Sequence, residues 1–192
     1  MIIKYNAPAI LSFAFFSVAV MAVTNFFWPT LVMEWFAAPA RGQFSATDAR
    51  SWVSLFSHIS GHADWTHLFS NFAIILLVGP MLEEIYGSPV MLVMILATAA
   101  ATGVLNALFF PSPMIGASSV AFMLILLASF TNFSKGEIPL TFILILAMYL
   151  GIEIVRSFGP GSGVAHFAHI AGGFCGSLFG FFFQPKKPKQ RY

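Results

Sequence analysis

Six stretches of about twenty mostly apolar residues divide this chain, and each is long enough to cross a hydrocarbon layer as a helix. They fall at 9–28, 65–86, 89–110, 113–133, 138–158 and 163–184. The connections after the second to fifth stretches are very short, which makes consecutive helices antiparallel neighbours in one bundle. The expectation is a single all-α membrane domain of six spans over residues 1–192, ending in a basic tail at 185–192.

The one long connection, 29–64, is too long and too aromatic for a plain linker. Trp52, Leu55, Phe56 and Ile59 recur there at helical spacing after the capping candidates Ser45 and Thr47, with a second apolar cluster at Trp35 and Phe36. This pattern suits a loop lying in the membrane interface and equally a compact outer domain resting on the bundle.

Composition sharpens the first reading. Of 192 residues, 58% are hydrophobic and 8% charged, too few charges for a water-facing surface. The net charge of +2 comes largely from Lys186, Lys187, Lys189 and Arg191, a local juxtamembrane cluster and not a nucleic-acid stripe. The lone cysteine, Cys175, excludes a disulfide frame and a cysteine-based metal site. The first apolar stretch is longer than a signal-peptide core and lacks a small-x-small cleavage site, so it is expected to remain as a span. With both termini inside, Lys4, Lys135 and the four tail cations are cytoplasmic and Arg41, Arg50 and Arg156 lie outside, the arrangement that basic residues favour. The second, fourth and sixth spans then all start at the outer surface.

Polar side chains on those three starts are costly in hydrocarbon and ask for a partner or a task. Ser118 lies five residues past Pro113, His169 six past Gly163, and Asn71 six into the second span. A rise of 1.5 Å per residue puts all three about 7 to 9 Å deep, with His67 one turn above Asn71 on the same face. A serine beside a neutral imidazole can attack a carbonyl, and the resulting oxyanion needs preorganised donors. Asn71, His67 and the Ser118 amide can supply them. Glu153 is the one carboxylate at similar depth, with Arg156 three residues on as its expected partner, so the pattern suggests a Ser-His dyad, with a Glu153 contact to the histidine as the alternative. His169, Gly172 or Gly173, Gly176 and Gly180 form a small-residue stripe for close helix contact. Each residue also has a plain packing role, and only their convergence singles them out.

At these residues the chain resembles the rhomboid intramembrane proteases. That family shares Gly-x-Ser-Gly opening the fourth span and Ala-His followed by small residues in the sixth. Here these read Gly116-Ala117-Ser118-Ser119 and Ala168-His169-Ile170-Ala171-Gly172. The family's second-span pattern is present as His58, His62, His67 and Asn71, followed by Glu83 and Gly87. The resemblance implies Ser118 as nucleophile, His169 as general base, and an oxyanion site of Asn71, His67 and the Ser118 amide. Gly116, His62 and Gly172 support the motif. It further implies transmembrane segments of other membrane proteins as substrates, entering between the second and fifth spans, and no metal or other cofactor. Residues 158–163, rich in glycine, would cap the site. Two departures stand out. Ser119 replaces the second glycine, and Val53 and Ser54 occupy the family's Trp-Arg positions, with Trp52 one residue early.

Three other readings compete. A metalloprotease on His58, His62 and His67 would need a further ligand and the missing His-Glu-x-x-His glutamate. A catalytically silent scaffold for transmembrane clients would fit the fold, although such relatives generally lack the serine or the histidine. A transporter would need mid-membrane carboxylates or broken symmetric helices. The compact form points to a prokaryotic plasma membrane.

Overall fold

A computed structural model describes residues 4–130 and 163–183, with Leu140, Ile143, Leu144 and Ala147 between them; of Phe130 and 163–169 it describes the backbone. The described residues form α1 (Pro8–Phe26), α2 (Leu31–Trp35), α3 (Ala49–Ser57), a 3-10 turn (His58–Ser60), α4 (Trp65–Tyr86), α5 (Ser88–Phe109), α6 (Ser118–Phe130) and α7 (Gly163–Phe182). Among them α1, α4 and α5 are long and apolar enough to cross a membrane. The shorter apolar helix α6 and the helix α7 fall within the expected fourth and sixth spans, and the fifth lies outside the described residues apart from four helical positions.

Local chemistry sets the helix ends. Pro8 and Pro89 occupy first-turn positions of α1 and α5, where a missing N–H is harmless. Gly87 alone joins α4 to α5, at φ +88°, a conformation that glycine adopts without a Cβ penalty. Buried Glu83, near the end of α4, accepts the amides of Ala9 and Ile10 at 2.8 and 2.9 Å, tying the start of α1 to α4.

One helix departs from expectation. The apolar stretch from Pro113 predicts helix from there, yet α6 begins at Ser118. Met114 pairs with Ala38 in an antiparallel bridge and Gly116 stands at φ +115°, so 113–117 enters as an extended strap. Ser118 therefore opens its helix instead of lying a turn and a half down it. α6 is also the most enclosed helix: Val120, Ala121 and every residue from Met123 to Leu127 are buried, as expected for a helix apolar on all sides.

The long loop is fastened at several points. Asn106 of α5 donates through Nδ2 to the carbonyls of Pro39 (3.0 Å) and Ser112 (3.1 Å), and the Ser57 hydroxyl donates to the Trp35 carbonyl. Gly103 of α5 admits the backbone of Leu55. The cap of α3 is Asp48, which accepts from the Arg50 amide at 3.0 Å, and not Ser45 or Thr47, whose hydroxyls meet each other at 3.0 Å. α3 turns Ser51, Ser54 and Leu55 inward and leaves Trp52, Val53 and Phe56 exposed, an outer face suited to an apolar surrounding.

Candidate active site

Asp64 caps α4 by accepting the His67 amide at 2.7 Å. This fixes the first turn and puts His67 and Asn71, four residues apart, on one face. Asn71 is buried and its Nδ2 has no hydrogen-bond partner among the described residues. A buried amide donor left open costs free energy, and donors at catalytic sites are commonly kept free for the reacting group.

The strap before Ser118 is held amide by amide. The Gly116 amide donates to the His58 carbonyl at 3.0 Å, and the Ala117 amide donates to His62 Nε2 at 3.3 Å. Since His62 Nε2 accepts, its proton sits on Nδ1, which donates to the Ser60 carbonyl at 3.3 Å. Burial, reinforced by the neighbouring His67, pushes His62 down to about 4. His58, wholly buried, is likewise pushed down to about 4 by burial. Its Nδ1 lies 3.2 Å from the Ser54 carbonyl, and the Thr102 hydroxyl approaches Nε2 at 3.3 Å.

Gly116 is where these parts meet. A Cβ there would stand 2.8 Å from Cε1 and Nε2 of the His67 ring and 3.7 Å from Asn71 Nδ2. Both side chains thus gather beside the strap that leads into Ser118. The Ala117 carbonyl accepts from the Ala121 amide at 2.9 Å, so Ala117 is the N-cap and the amides of Ser118, Ser119 and Val120 have no partner within the helix. They present the positive end of the helix dipole toward the same place. Ser118 itself is half-buried.

α7 lies against α6. A Cβ on Gly172 would collide with the Ser119 carbonyl, and one on Gly176 with the Met123 carbonyl. Residue numbers rise together along the two helices, so they run parallel. Position 169, one turn before Gly172 on the same face, falls within about 3 Å of Ser118 along the axis by helical rise. The imidazole of His169 lies outside the described residues, as do Glu153, Arg156 and the expected cap at 158–162.

The structure therefore brings together Asn71, His67, His62, Gly116 and the start of α6, with Gly172 on the adjoining helix. Sequence reading missed the cap Asp64, legible as an acidic residue just before the second span, and the His58–Thr102 contact, which no local pattern announces. Ser119, in place of the motif glycine, is buried and its hydroxyl has no partner among the described residues; its backbone is what meets Gly172. Trp52 pins the long loop by donating its indole N–H to the Ala46 carbonyl at 3.0 Å. His58, His62 and His67 do not share an open donor set, since two of the rings are already engaged; among the described residues no three His, Cys, Asp or Glu side chains converge on one point.

A family profile described as Rhomboid domain matches residues 49–186, well over half the chain. No curated protein matches it.

Proposed function

Because this chain belongs to the rhomboid family, we propose that it is an intramembrane serine endopeptidase that cuts transmembrane segments of single-span proteins. Ser118 is the nucleophile and His169 the base that takes its proton as the hydroxyl attacks the scissile carbonyl. The oxyanion is received by Asn71 Nδ2, His67 and the first amide of α6. The imidazolium then gives its proton to the departing amine, and water, activated by the same imidazole, hydrolyses the acyl-enzyme. No metal or cofactor takes part. The bundle has six spans with both termini cytoplasmic, in a prokaryotic plasma membrane, and α3 rests in the interface on Trp52, Val53 and Phe56.

The observation that supports this reading most is the gathering of His67 and Asn71 at Gly116, two residues before a serine that opens a helix. A packing role alone does not account for an unpartnered buried amide donor at that spot. The test is cleavage of a tagged single-span substrate by purified protein in detergent, with Ser118→Ala and His169→Ala each expected to abolish the cut. Undiminished cleavage by Ser118→Ala overturns the assignment. A Ser118-dependent fluorophosphonate label separates an enzyme from a silent scaffold.

A further inference from the structure

Away from the residues around Gly116, a groove of about 890 Å³ runs between α1 and α5. Its walls are Phe13 and Phe16 of α1 and Leu92 and Leu96 of α5, and α3 closes its upper end with Val53 and Phe56. Its volume lies in the range of small-ligand sites. α1 and α5 are both candidate spans, so whatever fills the groove comes from the bilayer.

Length selects the occupant. The groove follows α1 from Pro8 to Phe16 and α5 from Ser88 to Leu96, about 12 Å on each helix by helical rise. One hydrocarbon leaflet is about 15 Å deep. A blind groove of one-leaflet depth suits a single lipid tail, whereas a transmembrane helix spans both leaflets. The exposed Lys4 precedes Pro8, the first α1 residue of the groove, by four positions, a cation of the kind that pairs with a phosphate.

We propose that this groove holds one acyl tail of a phospholipid whose phosphate rests at Lys4. The tail supports α3 and the 3-10 turn from beneath, since Phe56, Ile59 and Ser60 all line the groove. The test is native mass spectrometry of the full chain released from micelles with added dioleoyl-phosphatidylglycerol, together with its melting temperature. Wild type is expected to keep one phospholipid and to melt higher with the lipid. Leu92→Trp/Leu96→Trp, which fills the groove, is expected to lose both effects, as is the milder Leu96→Trp in part. Lys4→Ala is expected to weaken retention. Leu77→Trp, on an exposed position of α4, is expected to behave as wild type. No retained lipid on wild type, equal retention by the filled variants, equal loss in Leu77→Trp, or a second copy of the chain in place of lipid would each overturn the proposal.

Discussion

A Cβ placed on Gly172 would stand 2.8 Å from the Cα of Ser119 and collide with its carbonyl oxygen. The residue after Ser118 and the residue one turn past position 169 are thus in backbone contact, and the spacing of α6 and α7 is set there. Gly172→Val is expected to push the helices apart. A displacement of about 1 Å can cost roughly a hundredfold in rate, and that loss is expected in a detergent cleavage assay. Wild-type turnover by Gly172→Val would remove this contact from the catalytic geometry.

Asn71→Ala removes the donor that stands unpartnered beside Gly116. Loss of one oxyanion donor costs about a hundredfold to a thousandfold in kcat. The variant is expected to fall in that range with KM little changed and with its melting temperature preserved, since no hydrogen bond within the described residues is broken. Comparing kcat and KM against wild type checks this; an unchanged kcat would take Asn71 out of the oxyanion site.

Gly116→Ala meets two penalties at once. At φ +115° a side chain is strained by about 1 to 3 kcal/mol, and its methyl would press on the His67 ring. A lower melting temperature and at least a tenfold loss of cleavage are expected, measured on the same preparation. His67→Ala in the Gly116→Ala background is expected to recover only part of the melting temperature and none of the activity, because it makes room for the methyl but leaves the backbone strain and removes a donor.

How much of this was legible in the sequence depends on the range of the interaction. Apolar runs of span length gave α1, α4 and α5 nearly to the residue, because helix length in lipid is set locally by hydrocarbon thickness. His67 and Asn71 on one face of α4 followed from their spacing of four, whereas the depth counted for Ser118 assumed helix from Pro113, and the helix begins only at Ser118. The strap at 113–117 did not follow, because Met114 is drawn into extended backbone by Ala38, some 76 residues away, and an apolar stretch gives no sign of that partner. Nor did the fixed tautomer of His62, which depends on the Ala117 amide arriving from another element. The cap of α3 was misplaced, by one residue at Thr47 and by three at Ser45, because Ser, Thr and Asp are all good N-caps, and only the backbone turn chooses among them in favour of Asp48.

Acid is expected to disable the site through His62. Its folded pKa, about 4, lies below the ordinary 6.5, so the unfolded chain binds the proton first and stability falls as pH falls between those values. The contribution is fully present above about pH 6.5 and is lost as pH drops through about 4. The loss is also local. A proton on Nε2 would face the Ala117 amide, donor against donor, and release the strap that leads into Ser118. His58, lowered for the same reason, adds to the loss of stability but does not touch that amide. His62→Gln can present a side-chain carbonyl to Ala117 at any pH, so it is expected to keep part of the activity and to lose the acid limb that His62 imposes. Cleavage rates and melting temperatures from pH 4 to pH 8 for wild type and His62→Gln check this, and identical acid limbs in the two proteins would show that the strap is not held by His62.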